Sequence, residues 1–318
     1  MTLRPSRRWV WRSVVAGTIL AAVAYGHRRR RTEAASRTPP AITEREVAAF
    51  LARRPIDPEG LESVTEAVAA VVSRGDPGPV LGLEGASTAS LFLDHERVEL
   101  LWYVEVPRSM TAGWADPRST VIEAFPIDHD ALGEVDATDR ELLVHAANPD
   151  RPRTVAGTDG ALVAGPGEIG VDVDLVQMRL KPGVAERLAD RFASVTERVV
   201  EDDLELGPIE TASAEMLEAE EMYTESIFLD RREEGYTLCQ YMEAAEMAQV
   251  YDAYYDTMNP VARVAEVVVG RVLEEPEKIL EYPLESDVSL LAHAVSPDRP
   301  RSPAETYSSA AHGQDPLS

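Results

Sequence analysis

The chain carries part of its own sequence twice, and an internal repeat constrains architecture before any local pattern does. Thr88-Ala89-Ser90-Leu91-Phe92-Leu93-Asp94 returns as Thr224-Glu225-Ser226-Ile227-Phe228-Leu229-Asp230. Leu142-Leu143-Val144-His145-Ala146-Ala147-Asn148-Pro149-Asp150-Arg151-Pro152-Arg153 returns as Leu290-Leu291-Ala292-His293-Ala294-Val295-Ser296-Pro297-Asp298-Arg299-Pro300-Arg301, with nine of twelve positions identical. The offset drifts from 136 to 148, so the second copy holds twelve more residues between its blocks. Pro, Gly and Ala concentrate in residues 154–171, which reads as a linker. The organisation expected is a basic and apolar segment 1–40, a first repeat 41–153, the linker, a second repeat 172–301 and a disordered tail 302–318.

The second copy reads more clearly than the first. Asp174–Leu180 alternates as a strand and stops at Pro182-Gly183. Val184, Leu188, Phe192, Val195 and Val199 then form one helical stripe, and a short acidic helical stretch runs from Ala214 to Glu221. The strand Tyr223–Asp230 turns at Glu233-Glu234-Gly235 into Thr237–Glu243. A helix with Met247, Val250, Tyr251 and Tyr254 on one face ends at Asn259-Pro260, Val261–Leu273 reads as a further helix, and Ser289–Val295 is the last strand. The order β-α-β-β-α-β is that of ferredoxin-like folds. The first copy matches from Ser87 onward, preceded by helices predicted at Thr43–Arg53, with a Thr43…Glu46 capping box, and at Pro58–Ser73. It lacks a clear first strand. The fold class expected is therefore α+β, two ferredoxin-like repeats forming an internal pseudo-dimer.

Charge narrows the partners. The formal charge is −25, yet residues 1–40 hold nine Arg against Glu33, so residues 41–318 carry −33. A surface this acidic excludes a nucleic-acid partner, whose affinity rests on Lys and Arg meeting phosphate. Lys181 and Lys278 are the only lysines among 31 bases. Such a surface repels itself unless salt shortens the Debye length, so a salt-adapted cytoplasmic protein is expected. The single cysteine, Cys239, rules out an internal disulfide and a cysteine-based zinc site, and six scattered histidines show no metal spacing.

The N-terminus supports three readings. Residues 9–26 are apolar if Arg12 snorkels, and 18 residues span about 27 Å, barely a hydrocarbon core. Trp9, Trp11 and Tyr25 stand where interfacial aromatics would, which suits a membrane anchor. Ser6-Arg7-Arg8-Trp9-Val10-Trp11 also matches a twin-arginine export signal with Ala22-Val23-Ala24 as its cleavage site, although Arg28–Arg31 follow at once. The third reading is a reading frame that truly starts nearer Thr43.

Strand alternation assigns faces and so a candidate site. Thr88, Ser90, Phe92 and Asp94 share one face, as do Thr224, Ser226, Phe228 and Asp230. On the partner strands Tyr103 and Glu105 match Tyr241 and Glu243. The side away from the helices is thus polar and aromatic in both copies, with Phe92 and Phe228 expected between them. These Tyr and Glu groups converge either as a pocket, where one carboxylate near like charge gains a raised pKa and acts as acid or base, or simply as the interface between copies. His145 and His293 could pair across the copies, or end strands before a turn whose Asp and Arg pair locally. Gly165-Pro166-Gly167-Glu168-Ile169-Gly170 formally matches a dinucleotide fingerprint but runs into a strand where a helix is required. Asp128-His129-Asp130 and Glu201-Asp202-Asp203 read as solvated acidic clusters. No cofactor and no metal is expected.

From Asp174 to about Val268 the pattern resembles an uncharacterised domain family frequent in halophilic archaea. Leu175-Val176-Gln177-Met178-Arg179-Leu180-Lys181-Pro182-Gly183 and Glu221-Met222-Tyr223-Thr224-Glu225-Ser226-Ile227-Phe228-Leu229-Asp230 carry the likeness. More distantly it is similar to the dimeric α+β-barrel superfamily, which includes antibiotic-biosynthesis-type monooxygenases and sugar mutarotases. The resemblance implies a fold and transfers no catalytic motif. Function is expected to be binding or interaction, with a small-molecule ligand as one partner. The alternative is a cofactor-independent enzyme, isomerase or monooxygenase-like, using Tyr103, Glu105, Tyr241 and Glu243.

Overall fold

A computed structural model describes residues 47–135, 140–147, 151–155, 160–183, 185–187, 189–191, 193–194, 221–250, 270–276 and 286–299. Its first element overturns an expectation. Residues 47–53 belong to strand β1, Val47–Pro55, where a helix over Thr43–Arg53 was predicted; the capping box itself lies outside the described residues. Alanine-rich Val47–Ala52 favours a helix intrinsically, but β1 pairs along its whole length with β3 (Glu99–Pro107) and packs apolar side chains on both faces. Tertiary pairing outweighs propensity in so short an apolar run. The first half therefore has the first strand that its sequence conceals.

The next expectation holds. Asp57 accepts a hydrogen bond from the Glu59 amide at 3.1 Å and caps a short turn, Pro58–Gly60, that feeds α1 (Leu61–Val72). This helix buries Val64 and Val68, and α2 (Gly78–Leu81) buries Val80 and Leu81. Strand β2 (Thr88–Asp94) precedes β3, and α3 (Arg108–Thr111) and α4 (Pro117–Glu123) follow it. Strands β4 (Arg140–Ala147), β5 (Val163–Ala164), β6 (Asp172–Arg179), β7 (Met222–Arg232), β8 (Gly235–Ala244) and β9 (Val288–Val295) complete the order. Gly235, at φ 139°, closes the turn between β7 and β8, a conformation that glycine adopts without strain.

The fold is mixed α+β with two antiparallel sheets, ordered β1-β3-β2-β9-β5 and β4-β7-β8-β6. The pairing differs from two self-contained ferredoxin-like units. Strand β4, from the first half, hydrogen-bonds β7, whereas β9, from the second half, hydrogen-bonds β2. The two candidate partners, Thr88–Asp94 and Thr224–Asp230, carry nearly the same side chains, so the hydrophobic pattern alone cannot choose between them. Strand β1 approaches β4 at one seam and β6 approaches β9 at the other. Across the first seam Arg140 donates to the Leu51 carbonyl at 3.0 Å, and across the second Ser286 donates to the Leu175 carbonyl at 3.3 Å. Within the presumed linker, β5 adds two residues to β9.

Two cores result. The outer face of the first sheet, with Ala89, Leu91, Trp102 and Val104, packs on Val64, Val68 and Val80 of the helices. The inner faces of both sheets meet through Leu51, Phe92, Tyr103, Leu175, Phe228 and Tyr241. Because each sheet borrows a strand, either half produced alone, residues 41–153 or 172–301, is expected to remain unfolded in saline buffer, and the mixture should regain sheet structure. Circular dichroism of each half and of the mixture checks this; a cooperative melt from a single half would contradict it.

Several expectations fall outside the described residues: the stripe Val184, Leu188, Phe192, Val195 and Val199, the stretch 214–220, the helical readings over 251–269, segment 1–46 and tail 302–318. Among the described residues no helix is long and apolar enough to cross a membrane.

Candidate functional site

Period-two alternation on β2, β3, β7 and β8 sends Thr88, Ser90, Phe92, Asp94, Tyr103, Glu105 and their counterparts between the sheets, where they form layers. All four sequence-predicted residues, Tyr103, Glu105, Tyr241 and Glu243, come together there and are fully buried. In the middle layer the Tyr103 and Tyr241 rings stack with centroids 3.6 Å apart and planes at 10°. Phe228 meets Tyr103 edge-on at 6.1 Å, and Phe92 meets Tyr241 likewise at 6.2 Å. The expectation that Phe92 and Phe228 lie between the sheets is met.

Each tyrosine heads a hydrogen-bonded chain. Tyr103 Oη lies 2.8 Å from Ser226 Oγ, which lies 2.9 Å from His145 Nδ1. Tyr241 Oη lies 3.3 Å from Ser90 Oγ, which lies 2.9 Å from His293 Nδ1. The two histidines therefore serve separate chains. Burial in an apolar interior lowers both to about 4, so both rings are neutral at pH 7. Burial raises both phenols well above 10, helped by Glu105 beside Tyr103 and Glu243 beside Tyr241.

The carboxylates depart from expectation. Arg151 donates to Glu105 Oε2 at 3.1 Å, and Arg299 holds both oxygens of Glu243, with Nη1 to Oε1 at 2.8 Å. Thr88, Ser87 and Tyr103 also donate to Glu105, and Thr224 Oγ1 accepts from both guanidinium groups at 3.3–3.4 Å. Burial pushes both carboxyls up, but the guanidinium groups outweigh it and hold both below the usual carboxylate range. Neither is a protonated acid at neutral pH. The expected raised pKa is corrected by this pairing, and so is the idea that the Arg of each Pro-Asp-Arg-Pro-Arg turn pairs locally. Sequence reasoning missed Arg151, Arg299 and the bridging role of Ser90 and Ser226. The repeated turn was the signal that could have found the arginines.

At the opposite end of the interior, Asp230 accepts from Arg53 at 2.9 Å and Arg232 at 2.8 Å. Its counterpart Asp94 accepts from the Gln177 amide at 2.8 Å, and Arg97 donates to the other side of that amide at 3.1 Å. Here a cleft of about 220 Å³ opens, lined by Asp94, Arg97, Gln177, Arg179, Thr237 and Val288 among others. Among the described residues no group of three or more His, Cys, Asp or Glu side chains is placed to hold a metal. Residues 165–170 form a turn that leads to β6, with no helix to cradle a phosphate. His129 Nδ1 accepts from the Ala131 amide at 3.1 Å; Glu201-Asp202-Asp203 lies outside the described residues.

No protein-family model and no curated protein matches the chain. Among solved structures it is similar to an anthrone oxidase-like protein, at 14% identity over 81% of this chain and 94% of the other, with TM-score 0.33. It is also similar to a candidate monooxygenase from Lactobacillus acidophilus at 12% identity, over 79% and 96% of the two chains, with TM-score 0.39. A candidate monooxygenase from Fusobacterium nucleatum subsp. nucleatum shares 11% identity over 79% and 92%, with TM-score 0.32.

Proposed function

We propose that the chain is an internal pseudo-dimer of the α+β-barrel type that binds a small molecule at the cleft by Asp94 and Gln177. The paired chains Tyr103–Ser226–His145 and Tyr241–Ser90–His293 support the pseudo-dimer, since each takes its serine from the opposite sheet. The observation that carries the binding reading is the filled centre. Two stacked phenols and two Arg–Glu pairs fill the space between the sheets and are fully buried, while the cleft by Asp94 and Gln177 is open to solvent. Its lining holds Asp94, Glu96, Glu275 and Asp287 against Arg97 and Arg179, and a ligand bearing an amine or hydroxyls suits that excess of acceptors. Ligand-observed magnetic resonance with small amines and polyols tests this. Binders should be lost on Gln177→Ala; binders that survive it would overturn the reading.

A second reading, a cofactor-independent enzyme of isomerase or monooxygenase-like type acting on a small organic molecule, is favoured by the neutral histidines ending two Tyr–Ser chains. Each neutral imidazole hydrogen-bonds the serine hydroxyl that in turn meets a phenol, and the phenol stays protonated as an oriented polar group. In that reading Tyr103, Glu105, Tyr241 and Glu243 form the site, and turnover would fall on Ser90→Ala and Ser226→Ala while surviving Gln177→Ala.

A further inference from the structure

Strand β6 leaves part of its free edge inside the cleft. It pairs with β8 in a register where the Leu180 amide reaches the Tyr236 carbonyl at 2.9 Å, so even-numbered residues bond β8 and odd-numbered residues turn their main-chain groups away from it. The odd residues show where those groups go. The Leu175 carbonyl accepts from Ser286 Oγ at 3.3 Å, and the Arg179 carbonyl accepts from the Glu274 amide at 3.0 Å. Between these two anchors, the main-chain N–H and C=O of Gln177 have no hydrogen-bond partner among the described residues. Gln177 is half-buried and lines the cleft of about 220 Å³, which Ser286 borders on one side and Leu273 and Glu275 on the other. The unpaired donor and acceptor therefore face open space.

We propose that this edge receives the main chain of a short, extended, positively charged peptide, an inference that rests on the cleft binding a small ligand and names that ligand's class. The peptide's central residue pairs its N–H and C=O with the C=O and N–H of Gln177, as an added strand does. Its length follows from the anchors. Four residues of strand, about 13 Å, separate Leu175 from Arg179, and three extended residues span about 10 Å. Its charge follows from the lining. Asp94, Glu96, Glu275 and Asp287 stand against Arg97 and Arg179, and both arginines are already engaged, Arg97 by Gln177 at 3.1 Å and Arg179 by Glu96 at 2.6 Å. An N-terminal ammonium suits that acidic rim, whereas a free carboxylate does not. Val176, Met178, Leu273 and Val288 supply the apolar part of the lining, which suits an aliphatic side chain on the central residue.

Amide hydrogen exchange of the full chain, read by magnetic resonance with and without the tripeptide Ala-Val-Ala amide, whose N-terminus is free, tests this edge. The Gln177 amide should exchange about tenfold or more slowly in saturating peptide, while the Val176 and Met178 amides, already bonded to β8, should not change. An analogue with an ester oxygen in place of the valine N–H keeps the shape but loses the donor to the Gln177 carbonyl, and should bind about tenfold more weakly. The N-acetylated peptide, which lacks the ammonium, should also bind about tenfold more weakly. Equal binding of the peptide and its ester analogue, or peptide binding that leaves Gln177 exchange unchanged, would overturn the inference. If small amines or polyols still bound and were lost on Gln177→Ala, the cleft reading would survive that result. No binding of amine, polyol or peptide would overturn both.

Discussion

Arg299→Ala is expected to cost about 3–5 kcal/mol, because removing one partner strands a buried charge. Arg299 is fully buried, and both oxygens of Glu243 rest on its guanidinium. With marginal stability on the order of 5–15 kcal/mol, such a loss brings the chain close to unfolding. The pH dependence has a definite sign. In the variant, burial without a counter-ion raises the folded pKa of Glu243 above its unfolded value. Stability is then fully present below the unfolded pKa and is lost as pH rises through the folded one. Urea unfolding in saline buffer should therefore show a smaller deficit near pH 5 than near pH 8. Replacing both partners with apolar residues of similar volume, Arg299→Met with Glu243→Leu, should recover most of the loss, since the pair's own desolvation disappears with it. A deficit below about 1 kcal/mol for Arg299→Ala, or one independent of pH, would mean that the charge is not buried as described.

How much of this was legible in the sequence depended on whether a feature was local. Alternation along Thr88–Asp94 and Thr224–Asp230 identified the inward side chains, because a strand's period of two holds wherever the strand pairs. The spacing of Tyr103 and Glu105 likewise placed both on the inner face. Pairing was not local. Leu142–Ala147 and Leu290–Val295 suit either partner strand equally, so their exchange could not be read. Arg151 and Arg299 leave exchanged strands, and their reach to Glu105 and Glu243 follows from that same crossing. Strand β1 was hidden because alanine favours a helix until a partner strand is supplied, and β3 supplies it. Glu225 was visible as the acid that stands in the second copy where Ala89 stands in the first, but its burial depended on the outer face being covered.

Phe92→Ala and Phe228→Ala are each expected to cost about 3–5 kcal/mol, the range for truncating a buried core aromatic. Both rings are 1% exposed and sit between the sheets. The size of the effect follows from what surrounds them. Phe92 lies edge-on to Tyr241, Tyr241 stacks on Tyr103, and Tyr103 lies edge-on to Phe228, so four rings form one continuous row. A cavity at either end cannot collapse without moving a tyrosine, and each tyrosine is held by a serine across the interface. The row therefore transmits strain between its ends. In a double-mutant cycle the two truncations should couple by about 0.5–3 kcal/mol, although the phenyl rings lie at opposite ends of it. Additivity within about 0.5 kcal/mol would show that the stacked tyrosines do not link the two sheets. Tyr103→Phe offers the finer cut: it keeps the ring stack but removes the donor to Glu105 and the acceptor for the Ser226 hydroxyl, leaving one buried acceptor and one buried donor short of a partner at about 1–3 kcal/mol. If Tyr103→Phe cost as much as Phe228→Ala, polar satisfaction rather than ring packing would dominate the interface.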